Sequence, residues 1–147
     1  GEDWLDLHGV QVSAAQPESL VKGGNEKILI IDDEAPVRNV LCMRLEHLGY
    51  NVESASSGNE AFDKYQQASD FDLVILDMLM PKLPGERVYQ ELCKIRPGVK
   101  VLLISGYTSE QVIDDTIQRG ALDFLQKPFT IEELSRKVRD CLDISQA

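Results

Sequence analysis

Leu73-Val74-Ile75-Leu76 is an unbroken apolar run that leads straight into a carboxylate, Asp77. Such a run, bounded by polar residues, fits a strand covered on both faces, as in a parallel sheet sandwiched between helices. The residues after it, Met78-Leu79-Met80-Pro81-Lys82-Leu83-Pro84-Gly85, hold two prolines and a glycine and read as a loop. In open α/β sheets ligand chemistry gathers at the carboxyl ends of strands. Asp77 is therefore expected at the edge where chemistry would occur. Alone it would read as an ordinary loop aspartate; the residues expected beside it change that.

The pattern recurs along the chain. Lys27-Ile28-Leu29-Ile30-Ile31 is a second buried strand, and it also ends in acids, Asp32, Asp33 and Glu34. Pro36 suits the first turn of a helix, and Val37, Val40, Leu41, Leu45 and Leu48 repeat at helical spacing until Gly49 stops them. Tyr50 to Ser54 alternates like a short strand. Ala61, Phe62 and Tyr65 mark a helix with Ser57 as candidate cap. Val88, Leu92 and Ile95 give the helix after Asp77, ending before Pro97-Gly98. Val99 to Ile104 predicts a fourth strand running into Ser105-Gly106. Val112, Ile113, Thr116 and Ile117 form a helix closed by Gly120. Ala121 to Leu125 predicts a fifth strand before Lys127-Pro128. Thr130 with Glu133 reads as a capping box for a last helix, whose stripe is Ile131, Leu134, Val138 and Leu142. Regular β/α alternation implies a parallel sheet with helices on both faces and right-handed crossovers. The expectation is an α/β, flavodoxin-like, doubly wound five-stranded parallel sheet of order 2-1-3-4-5 with five helices.

Composition narrows the classes. Hydrophobic residues make up 43% of 147 residues, enough for one domain with its own core. A net charge of −10 disfavours direct nucleic-acid binding and suits a cation or a basic partner. No apolar run approaches the ~20 residues that span a bilayer, and the acidic start, Gly1-Glu2-Asp3-Trp4, is not a signal peptide. A cytoplasmic location without membrane contact is expected. Cys42, Cys93 and Cys141 lie far apart, each in an expected helix, and read as reduced thiols. Residues 1–25 lack a sustained apolar period and read as a linker, with residues 26–147 as the domain. There is no initiator Met, so the chain reads as a piece of something longer.

The polar residues at the expected strand ends form a set: Asp32 and Asp33, Asp77, Ser105 and Lys127. Clustered carboxylates repel unless neutralised. Hard oxygens with no His or Cys suit Mg²⁺ or Mn²⁺. Lys127 and the Ser105 hydroxyl then favour an oxyanion that also touches a carboxylate, and a phosphoryl group on Asp77 fits.

On these residues the chain resembles the receiver domain of the two-component response-regulator family, over residues 26 to about 143. The motifs are the Asp32-Asp33 pair, Asp77 before Met80-Pro81, Ser105 after an apolar strand, and Lys127-Pro128-Phe129. The resemblance implies phosphotransfer to Asp77 from the phosphohistidine of a histidine kinase or a histidine phosphotransfer domain. It implies Mg²⁺ held by Asp33, Asp77 and the backbone carbonyl of Leu79, with Asp32 acting through water. It implies that Lys127 and Ser105 contact the phosphoryl oxygens, that the Lys127-Pro128 bond is cis, and that Ser105 and Phe124 are switch positions. Phe124 lacks a hydroxyl, so a hydrogen-bonded aromatic switch is unavailable. Pro84 stands where many relatives have Asp, which stiffens the loop. Such a domain performs its own phosphorylation and dephosphorylation and is not an enzyme in the ordinary sense.

Segments such as Ile104-Ser105-Gly106-Tyr107 and Phe124 to Phe129 resemble receivers of hybrid sensor histidine kinases, the leading expectation for the parent chain. A stand-alone or truncated response regulator is the alternative. A metal-dependent phosphatase with an aspartate nucleophile is a further one, but it would need an Asp two residues past Asp77, where Leu79 stands. A flavodoxin-type flavin protein is weaker still, because the acid cluster would repel its phosphate. Leu79 and Tyr107, two residues past Asp77 and Ser105, offer little to orient a hydrolytic water, so slow loss of the phosphoryl group is expected.

Overall fold

A computed structural model describes residues 3–5, 10–13, 22–68, 70–106 and 108–144. Its centre is a sheet of five parallel strands: β3 (Lys27–Ile31), β4 (Asn51–Ala55), β5 (Leu73–Asp77), β6 (Val101–Ser105) and β7 (Asp123–Gln126). Their spatial order is β4-β3-β5-β6-β7, the expected 2-1-3-4-5 arrangement. The helices among the described residues are α1 (Ala35–His47), α2 (Gly58–Gln67), α3 (Gly85–Ile95), α4 (Glu110–Gln118) and α5 (Ile131–Leu142).

The apolar runs explain the layering. Alternate residues of a strand point to opposite faces, so a continuous apolar run feeds two cores. Ile28, Ile30, Leu73, Ile75, Leu102 and Ile104 pack against α1 and α5. Leu29, Ile31, Val74, Leu76, Val101 and Leu103 pack on the other face with α2 and α3, and Val112 and Ile117 of α4 cover its margin. Every residue of β5 and of β6 is buried. Cys42, Cys93 and Cys141 lie in α1, α3 and α5 and are free thiols.

Local signals set the element ends. Ser57 Oγ accepts from Glu60 N, and Glu60 Oε2 in turn accepts from Ser56 N, closing the start of α2. Thr130 Oγ1 accepts from Glu133 N at the start of α5. Gly49 ends α1 with φ +102, a backbone region that side chains avoid. The fourth and fifth sheet strands begin two residues later than their apolar runs. Val99 and Ala121 are buried, but their N–H groups bond to Arg96 O and Thr116 O in the preceding turns rather than to a neighbouring strand.

The stretch read as a linker contains two short strands, β1 (Asp3–Leu5) and β2 (Val10–Ser13), paired antiparallel. β2 also runs parallel to β8 (Phe129–Thr130), pairing Val10 with Phe129 and Gln11 with Thr130. Their physical basis is backbone pairing at the exposed edge of β8. Farther on, Ser135 Oγ donates to Lys22 O at 2.6 Å, and Arg139 pairs with Glu26, so residues 22–26 lie along α5.

Gly85 is fixed by the loop that follows Asp77. Its N–H donates to Met78 O at 3.2 Å, and a Cβ there would stand 2.5 Å from Met78 Cα and 3.0 Å from Asp77 O. Both obstacles are backbone, so they cannot yield by a side-chain rotation. Gly85→Ala is expected to destabilise the fold by roughly 1–3 kcal/mol, as overpacking does. Urea denaturation measures this, and an unchanged midpoint would show that the Asp77 loop moves aside freely.

Candidate functional site

The carboxyl edge of the sheet assembles the expected set. Asp32 and Asp33 directly follow β3, and Asp77 is the last residue of the adjacent β5. One carboxylate oxygen from each of the three lies within 4.8 Å of the others. Ser105 ends β6, one residue past Ile104, which pairs with Asp77. Lys127 follows β7, its N–H donates to Ser105 O at 3.0 Å, and the Lys127-Pro128 peptide is cis as expected.

The acids differ in their surroundings. Asp32 is fully buried and Asp77 is 2% exposed, whereas Asp33 is open to solvent. Asp32 Oδ1 accepts from Glu34 N at 2.9 Å, but Oδ2 accepts no hydrogen bond. Its nearest cation is Lys127 Nζ at 3.6 Å, an ion pair too long for a hydrogen bond. Asp77 Oδ1 accepts from Leu79 N at 3.0 Å. Burial pushes the Asp77 carboxyl up to about 7, with the Asp32 charge adding to the rise and Lys127 opposing it. Asp32 is also raised, by burial first, against the pull of Lys127.

This edge fits a hard divalent cation. Its donors are carboxylate oxygens with no His or Cys among them, and a buried oxygen of Asp32 lacks a hydrogen bond. Among the described residues it is the one such cluster. Beside Asp33 a cleft of about 330 Å³ opens between the β4–α2 and β5–α3 loops, lined by Ser56, Asn59, Met80 and Lys82. Approach to the acids from solvent is therefore open on that side.

The other expected residues are placed as follows. Leu79 lies in the loop with its side chain 56% exposed, so its share in the site is through the backbone. Phe124 is half-buried against the core on the α2–α3 face. Tyr107 lies outside the described residues.

Two residues at the site were not singled out from the sequence. Arg38 Nη1 donates to Asp32 O at 2.8 Å and so holds the acidic loop to α1. A usable signal existed: Arg38 sits near the start of α1, where the helix dipole disfavours a cation unless a partner holds it. Thr108 Oγ1 is hydrogen-bonded to Ser105 Oγ. Nothing in the spacing of a loop reveals that pair.

Comparison with known proteins gives a consistent result. The family model described as "Response regulator receiver domain" matches residues 28–139. A "Probable transcriptional regulator ycf27" of Porphyridium aerugineum is 39% identical over 117 residues, covering 80% of this chain and 48% of that protein. A "Sensor kinase CckA" of Brucella abortus is 31% identical, covering 82% of this chain and 13% of that one. The crystal structure of a response regulator receiver domain protein from Clostridium thermocellum superposes with a TM-score of 0.77 at 33% identity, covering 80% of this chain and 94% of that one. The chain spans about half the length of the ycf27 regulators it matches. No helix among the described residues is long and apolar enough to cross a membrane.

The raised Asp77 carboxyl makes stability depend on pH. In the unfolded chain it ionises near pH 4; in the folded domain it resists ionisation up to about 7. The unfolded state therefore loses its proton first, and stability falls as pH rises through that window. Without divalent cations, Asp77→Asn should be more stable than wild type at pH 8, on the order of 2 kcal/mol. The gap should close as pH falls toward 4. Urea midpoints across pH measure it, and a gap independent of pH would contradict the account.

Proposed function

This chain belongs to the response regulator receiver domain family, and we propose that Asp77 is its phosphoacceptor, taking a phosphoryl group from a phosphohistidine in a Mg²⁺-dependent reaction. The observation that carries this is the gathering of Asp32, Asp33, Asp77 and Lys127 at one sheet edge, with a buried carboxylate oxygen left unbonded.

An Asp77 oxygen attacks phosphorus, the P–N bond of the phosphohistidine breaks, and imidazole leaves. Asp33, Asp77 and the Leu79 carbonyl would hold Mg²⁺, with Asp32 reached through water. When bound, the ion offsets charge on the phosphoryl oxygens. Asp77 must be ionised to attack, and its burial beside Asp32 opposes ionisation, so neutralisation of the cluster precedes transfer. Lys127, its side chain 12% exposed and its Nζ 3.6 Å from Asp32 Oδ2, supplies a fixed cation for a phosphoryl oxygen. Ser105 offers a hydroxyl from the neighbouring strand end. Asp77 carries the phosphoryl group until water or another acceptor takes it and regenerates the carboxylate, so the domain acts as a switch and not as a turnover enzyme.

Similarity favours a response regulator as parent over the hybrid sensor kinase expected from the sequence. The ycf27 relatives are named transcriptional regulators, and this chain spans about half their length. Donors in this reading are a histidine kinase or a phosphotransfer protein, in the cytoplasm. The strongly acidic domain itself makes no direct nucleic-acid contact.

The test is intact mass after incubation with acetyl phosphate and Mg²⁺. Wild type should gain one phosphoryl group, and both Asp77→Asn and chelation of the metal should abolish the gain. Modification that persists in Asp77→Asn would overturn the assignment. A second expectation concerns lifetime. The exposed Leu79 side chain cannot orient water, so Leu79→Asn should shorten the half-life of the phosphorylated domain several-fold. Equal decay rates would remove Leu79 from the account.

A further inference from the structure

The Ser105 hydroxyl, which the phosphoacceptor reading assigns to the phosphoryl group, is already engaged. Its partner among the described residues is Thr108 Oγ1. Ser105 is 1% exposed, and its backbone is held at both sides: β6 pairs with β5 and β7, with Ser105 opposite Gln126, and Lys127 N donates to Ser105 O. Rotation of the side chain is thus the freedom left to it. Thr108 belongs to the loop that leads into α4, next to Ser109, whose Oγ caps that helix by accepting from Val112 N.

Each hydroxyl has one proton to donate and two lone pairs. The direction of the bond follows from burial. If Thr108 were the donor, the proton of the buried Ser105 would have no acceptor among the described residues, and buried donors are seldom left unmade. Half-buried Thr108 can instead turn its own proton toward solvent. Ser105 therefore donates to Thr108 at rest. A phosphoryl oxygen on Asp77 would need that same proton.

We propose that Thr108 is a positioning residue, a resting-state latch that holds the Ser105 proton away from the phosphoacceptor and ties the end of β6 to the start of α4. The inference rests on the phosphoacceptor reading of Asp77. A charged phosphoryl oxygen is a stronger acceptor than a neutral hydroxyl, so phosphorylation draws Ser105 off Thr108 and frees the α4 loop in the same step. The latch sets how much of the phosphoryl interaction is spent on switching.

Beryllofluoride with Mg²⁺, a stable mimic of an aspartyl phosphate, is the probe, with affinity read by calorimetry. Thr108→Val lacks the acceptor, so it should bind the probe roughly five-fold more tightly than wild type, the equivalent of one neutral hydrogen bond. Thr108→Ala should show the same gain, and Thr108→Ser should restore wild-type affinity. Equal or weaker binding by both Val and Ala variants would overturn the latch, as would a serine variant that behaves like valine. Wild type that binds no probe, or binds it equally as Asp77→Asn, would overturn the phosphoacceptor reading instead.

Discussion

Desolvation of two carboxylates at the edge of one sheet is the constraint from which the rest follows. Asp32 and Asp77 are held out of water by the same strands that form the core, and the Asp32 charge adds to the cost of ionising Asp77. Lys127 offsets part of that cost from 3.6 Å, and one oxygen of Asp32 still lacks a hydrogen bond. A fold that only had to be stable would fill such a position with apolar side chains. In the proposed reaction a partner of opposite charge offsets that cost and favours the ionised Asp77 that attacks, so cation binding and phosphotransfer are linked through the same electrostatics.

The scaffold makes that arrangement hard to relax. Asp77 terminates a strand with no exposed residue, and Gly85 lets the following loop pass within contact distance of the Met78 and Asp77 backbone. Arg38 fixes the other acidic loop through Asp32 O. On the far side Ser105 meets Thr108 where the chain enters α4. In the proposed switch, rotation of the Ser105 side chain carries a charge change at the acidic edge into α4.

Much of this was legible in the chain. The unbroken apolar runs from Leu73 and Ile28 gave the strands, their covered faces and hence the parallel sheet, because only a two-sided core tolerates such runs. The acids at their ends then fell on one edge by topology alone. Strand starts were less legible, since Val99 and Ala121 are buried yet belong to turns; burial and strand pairing are different demands. The pairing of β2 with β8 was missed because it depends on backbone groups and carries no side-chain period. Thr108 was missed for a related reason, because its partner is set by loop geometry that spacing does not encode, whereas Arg38 left a signal as a cation near a helix start. The short segments read toward a hybrid kinase do not distinguish parents, since transcriptional regulators and a sensor kinase both match this chain.

Burial pushes the Asp77 carboxyl up to about 7, so a divalent cation that binds near neutral pH should displace its proton. Isothermal titration of Mg²⁺ into the domain near neutral pH, in two buffers of different ionisation enthalpy, reads this directly. In wild type the measured enthalpy should change with buffer in the sense of proton release, and the release should be lost in Asp77→Asn. Mg²⁺ binding with a buffer-independent enthalpy in wild type would mean that Asp77 is already ionised and would contradict this expectation.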